Sequence, residues 1–139
     1  MPKFMIQVRA TEEGESGARP KTDMLLKMAE YNKTLVDAGM LIDGNGLLNS
    51  TKGARIAFHS AGASVVTKGP FAYDSLVSGY WIWEAKDLQE AISWAQKAPF
   101  TEGSILEVRQ VAGPDDFGDQ MTAEVKAANE QLRIALEKK

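Results

Sequence analysis

Phe4, Ile6 and Val8 alternate with Met5, Gln7 and Arg9, and a period of two over six residues predicts a strand. From Thr11 to Lys21 the pattern lapses into a loop with Gly14, Gly17 and Pro20. Met24, Met28, Tyr31, Leu35 and Ala38 then recur at helical spacing, one face of a helix over about 23–38. Thr22 or Asp23 is placed to cap it, and Gly39 stands where a left-handed residue would close it. Met40-Leu41-Ile42 begins a second strand, which Asp43-Gly44-Asn45-Gly46 is expected to break as a turn.

Two short extended runs, Ala54–His59 and Ala63–Lys68, flank Ser60-Ala61-Gly62 and predict a β-hairpin that Gly69-Pro70 ends. Val77–Ala85 is rich in aromatic and β-branched residues. As a strand it puts Trp81 and Trp83 on one face and Tyr80 and Ile82 on the other. Asp87 and Glu90 form a capping-box-like pair ahead of a helical stripe, Leu88, Ala91, Ile92, Ala95 and Ala98, which Pro99 stops. Ile105–Val111 alternates again as a last strand. After Gly113-Pro114, Thr122 can cap a final helix whose apolar face is Met121, Val125, Ala128, Leu132, Ala135 and Leu136.

The order is β-α-β, hairpin, β-α-β, helix. It predicts an α+β chain with a ferredoxin-like βαββαβ core, an inserted β-hairpin and a C-terminal helix. Residues 1–112 form the domain and 113–139 its helical extension. Helices on one face of an antiparallel sheet leave the other face bare, and a two-fold dimer that stacks two sheets would cover it.

The chain's 139 residues suit one domain, and 44% hydrophobic with 25% charged residues is globular composition. The net charge of -3 argues against nucleic acid as a partner. With no cysteine and a single histidine, thiolate chemistry, iron–sulfur ligation and multi-histidine metal sites are excluded, and no cofactor is expected. The apolar stretch at the N-terminus is too short for a signal peptide, and no run is long enough for a membrane helix. A cytoplasmic chain without a membrane partner is expected.

Lys68-Gly69-Pro70-Phe71, Gly79-Tyr80-Trp81-Ile82-Trp83-Glu84, Asp87 to Ala95 and Ile105 to Val111, in this order and spacing, resemble the YCII-related family in its DGPF branch. Gly44-Asn45-Gly46-Leu47 is similar to that branch's glycine-rich stretch. Asp115-Asp116-Phe117-Gly118, followed by a helix, is similar to a longer subgroup. The resemblance implies a ferredoxin-like fold and a dimeric α+β barrel. Smaller members carry a proposed His–Asp pair, the His just after Arg-Pro and the Asp before Gly-Pro. Here Arg19-Pro20 is present but Thr22 stands about where the His would fall, and Lys68 replaces the Asp. The stretch after Gly-Pro-Phe is Ala72-Tyr73-Asp74-Ser75, where the branch has more polar and charged residues. A general acid–base pair needs both halves, so it is not carried over.

Five residues are candidate ligand contacts. Lys68 is a cation where the family has an anion, which would favour carboxylates or phosphates. Asp74 is the only acid near that loop and is placed to pair with Lys68. Arg9, if it points into a barrel cavity, would bind an anion through both guanidinium arms. Trp81 and Trp83 would line an aromatic pocket, or else fill the core or a dimer interface. His59 beside Ser60-Ala61-Gly62 reads as an exposed turn neighbour. Three functions remain open: a homodimeric module binding a small anionic or aromatic ligand, an enzyme of lyase, isomerase or oxygenase type, and an accessory protein that acts through its C-terminal helix.

Overall fold

The computed structural model describes residues 1–139. Strand β1 (Lys3–Arg9) leads through a short helix α1 (Glu12–Glu15) to helix α2 (Thr22–Asp37) and strand β2 (Leu41–Gly46). The hairpin is β3 (Ala54–Phe58) and β4 (Ser64–Lys68). Strand β5 (Val77–Glu84), helix α3 (Leu88–Ala95) and strand β6 (Leu106–Gln110) complete the second unit, and helix α4 (Ala123–Glu137) ends the chain. The main sheet runs β2-β5-β1-β6 with every neighbour antiparallel, which is the ferredoxin-like α+β order. The hairpin forms its own two-stranded sheet.

The alternation in β1 and β5 selects the buried face. Phe4 pairs with Trp83 and Ile6 with Trp81, and all four side chains lie under the helices. Tyr31 and Leu35 of α2, Ala91 and Ala95 of α3, and Met40 and Ala85 complete this core. Trp81 meets Tyr31 and Phe100 edge to face, at ring-centre distances of 5.7 and 6.2 Å. The opposite face carries Met5, Gln7, Tyr80, Ile82, Glu107 and Arg109.

Helix α2 closes as its sequence indicates. Gly39 has φ +72°, and the Gly39 and Met40 amides donate to the Val36 and Leu35 carbonyls, so the buried Leu35 and Met40 meet across the turn. Its start differs. Lys21, not Thr22 or Asp23, is the N-cap, and no side chain caps the helix. Asp87 does cap α3, accepting from the Glu90 amide at 2.9 Å. Thr122 caps α4 through the Val125 amide.

Two further expectations are corrected. Asp43-Gly44-Asn45-Gly46 does not break the second strand; it continues β2, paired along β5, with a bulge between Leu41 and Asp43. The bulge realigns the strand so that Gly44 and Gly46 lie on the same side of the sheet as Trp81, Gly44 beside it and Gly46 beside Gly79. The stretch after Thr11 is not all loop: the Thr11 hydroxyl accepts from the Gly14 amide and nucleates α1. No helix is long and apolar enough to cross a membrane.

Candidate functional site

Three glycines occupy helix-facing positions at one end of the sheet. Gly79 lies two residues before Trp81 on β5 and pairs with Val8 on one side and Gly46 on the other; Gly44 pairs with Trp81. With no side chains there, the sheet cannot fill the space under α2. The result is a cleft of about 220 Å³ lined by Val8, Met28, Asn32, Ser78, Trp81 and Phe100, with the backbone of Gly44–Gly46 and Gly79–Tyr80. A cavity of about 150 Å³ suffices for benzene. The cleft therefore has room for one substituted ring. It opens on the side of β2, whose residues Gly44, Asn45 and Gly46 are exposed.

The glycines are not equivalent. A Cβ on Gly44 would lie 2.7 Å from Trp81 Cδ1, and one on Gly79 would lie 3.2 Å from the Asn45 carbonyl oxygen. A Cβ on Gly46 meets nothing within 4 Å. Gly44 and Gly79 thus permit close packing of the walls, while Gly46 leaves the volume empty.

Asn32 supplies the oriented polar group. Trp81 Nε1 donates to Asn32 Oδ1 at 2.8 Å, which fixes the side-chain amide and leaves its NH₂ group without a protein acceptor. The Ser78 hydroxyl donates to the Val8 carbonyl at 3.3 Å. No charged side chain lines the cleft. One turn of α2 away in sequence from Met28, the Tyr31 hydroxyl is buried and donates to the Trp94 carbonyl at 2.6 Å; burial pushes its pKa up to about 12.

A second depression, of about 470 Å³, lies between α3 and β6. Its walls are Leu88, Ile92, Ala95, Leu106 and Val108, with Gln96 as the one polar side chain. It is larger but offers almost nothing to orient a ligand, so the glycine-floored cleft is the candidate site.

Of the five residues singled out from sequence, only Trp81 lines the cleft. Trp83 is fully buried in the core. Lys68 is exposed at the end of β4. The Lys68–Asp74 ion pair does not form, and the contact at Asp74 is through its backbone carbonyl, which accepts from Arg9 Nη2 at 2.8 Å. Arg9 points away from the cleft, toward the Asp74 loop and Glu107, whose carboxylate is 3.5 Å from Nη1. His59 is exposed beside the hairpin turn.

The Gly-Pro-Phe segment proves to be a structural joint. A Cβ on Gly69 would fall 1.7 Å from the Ser50 carbonyl oxygen, so no side chain fits. The Phe71 amide donates to Ser50 Oγ at 2.8 Å, and the Ser50 amide and hydroxyl both donate to the Glu15 carboxylate. The Arg55 guanidinium stacks 4.0 Å from the centre of the Phe71 ring and donates to Ser75 Oγ. These contacts tie α1, the turn Ser50–Lys52 and the hairpin base together. Sequence reasoning missed Glu15, Ser50 and Asn32, whose partners lie 21 to 49 residues away in the chain. The gap at Gly79 in the Trp81–Trp83 face was the one signal of the cleft that the sequence did carry.

The family model of the YCII-related domain matches residues 3–114. No curated protein matches the chain. Among solved structures it is similar to 5-chloro-2-hydroxyhydroquinone dehydrochlorinase from Burkholderia phenoliruptrix, in complex with 2,5-dihydroxybenzoquinone. The two are 18% identical, the match covers 80% of this chain and 95% of that one, and the TM-score is 0.44.

Proposed function

This chain belongs to the YCII-related domain family, and on that premise we propose that it is a small-molecule-binding module whose ligand occupies the cleft under α2. The reading includes membership of the DGPF branch, a cytoplasmic homodimer of stacked sheets, and residues 113–139 as an extension of the domain. The observation that carries the binding site is the row Gly44, Gly46 and Gly79, which keeps a helix-facing surface free of side chains beside an oriented Asn32 amide. The walls set the ligand class. Val8, Met28, Trp81 and Phe100 suit an aromatic ring, and Asn32 suits one acceptor on that ring. With no charge in the lining, an uncharged ring is favoured over an anionic one.

One observation favours an enzyme as the second reading. On the other face of the sheet, away from the cleft, the Tyr80 phenol donates to Asp43 Oδ2 at 3.3 Å and accepts from Asn45 Nδ2 at 3.0 Å. A phenol held by a carboxylate can move a proton, the step that a lyase or isomerase requires. A turnover assay of Tyr80→Phe, with binding measured in parallel, separates the two readings.

The test of the binding site is native mass spectrometry of gently purified protein, followed by identification of the released molecule. A stoichiometric small aromatic compound is expected in the wild type and not in Gly46→Leu, whose side chain fills the cleft. Thermal unfolding of both proteins with a panel of one-ring phenols provides the second measurement. Saturation at about one hundred times Kd stabilises by about 2.7 kcal/mol, a shift of several degrees. No retained compound and no shift with any phenol, or equal shifts in Gly46→Leu, would overturn the proposal.

A further inference from the structure

Two parts of the chain hold apolar residues that nothing in the subunit covers. The hairpin is one. Ile56 pairs with Val66 and Phe58 with Ser64, so Ile56, Phe58 and Val66 share a face, and Phe58 is 82% exposed. The opposite face is turned to the chain's own loop, because Arg55 stacks on Phe71 there. The C-terminal extension is the other. Helix α4 buries no residue, and Phe117, Leu132 and Leu136 are 52%, 63% and 66% exposed. Singly exposed apolar residues are ordinary, but a hairpin face and a whole helix that leave theirs uncovered are not.

Their charges are opposite. Between Asp43 and Asp74 the chain contains no acid, and Lys52, Arg55 and Lys68 make it basic. From Gly113 to Val125 it contains no base, while Asp115, Asp116, Asp119 and Glu124 make it acidic. None of these four acids, nor Lys52 or Lys68, takes part in an ion pair within the subunit. The hairpin segment lacks acids and the start of the extension lacks bases; within one subunit no ion pair joins the two, and both are exposed. We propose that the acidic extension of one copy of this chain docks on the basic hairpin of a second copy. The apolar residues form the centre of the contact and the charges its rim. Two-fold symmetry makes the contact twice, once in each direction.

The absence of cysteine makes the test direct, since an introduced thiol is the sole labelling site. Ser60→Cys, at the hairpin turn, carries a donor dye in one full-length population, and Gln131→Cys, on α4, an acceptor in another. After mixing and equilibration, energy transfer between copies is expected. Lys52→Glu with Lys68→Glu in the donor chain is expected to lower the apparent affinity about tenfold. Asp115→Lys with Asp119→Lys in the acceptor chain is expected to restore it. Phe58→Asp should abolish transfer, with circular dichroism confirming that the variant is folded. No transfer between copies, or transfer unaffected by either charge reversal, would overturn the proposal. The last of these is the pattern expected from a dimer held by its sheets alone.

Discussion

A Cβ built on Gly69 lands 1.7 Å from the backbone oxygen of Ser50, whereas one built on Gly46 meets nothing within 4 Å. The first contact is with main chain that Glu15 and Phe71 already hold, so it has no soft route of relief. Gly69→Ala is therefore expected to cost about 3 kcal/mol or more, at the upper end of overpacking effects. Gly46→Ala adds a methyl group to open space in a strand, and reduces the freedom of the unfolded chain. It is expected to stabilise by about 0.5 kcal/mol. Urea unfolding of the two variants checks both signs. A Gly69→Ala protein as stable as the wild type would remove the joint from the account. The contrast separates a glycine that the fold requires from one that leaves the cleft open.

At the scale of elements, α2 and α3 are joined over the sheet by one buried hydrogen bond, from the Tyr31 hydroxyl to the Trp94 carbonyl. Burial raises the Tyr31 pKa from 10.0 to about 12. The folded state thus favours the neutral phenol. The associated stability is complete below pH 10 and is lost as pH rises from 10 to about 12, a difference of about 3 kcal/mol. Tyr31→Phe is expected to flatten this alkaline loss, and to cost about 1 kcal/mol at neutral pH through the lost hydrogen bond, since the Trp94 carbonyl keeps the Lys97 amide as a donor. Chemical denaturation between pH 7 and 11.5 measures both effects. The same helices show what the sequence could reveal. The α2 stripe, the Gly39 closure and the Asp87 cap are local signals, set by residues within a turn or two of each other, and all three are present in the fold. The continuation of β2 through Gly44–Gly46 was not legible, because glycines weaken a strand unless pairing along β5 holds them, and such pairing lies beyond any local pattern. The same reason hid the Asn32–Trp81 bond, which joins residues 49 apart. Lys68, chosen by its place in a motif, proved to mark the end of a hairpin rather than a wall of the cleft.

The whole molecule has its core in one part of the chain and an exposed helix in another. Every side chain of the core lies between Phe4 and Ala95, and α4 adds none. A chain ending at Gly113 should therefore keep its fold. At low protein concentration, where contacts between copies are dissociated, its unfolding free energy is expected within about 0.5 kcal/mol of the full chain's. At high concentration the two should diverge. If the extension docks on a second copy, the full chain gains stability by mass action and the shortened chain gains less. Thermal unfolding across a hundredfold range of concentration separates these terms, since the subunit's own stability does not depend on concentration. A shortened chain that is already unstable when dilute would mean that α4 supports its own subunit, and the boundary at Gly113 would then be wrong. Equal stability at every concentration would leave the exposed leucines of α4 without a partner in a second copy.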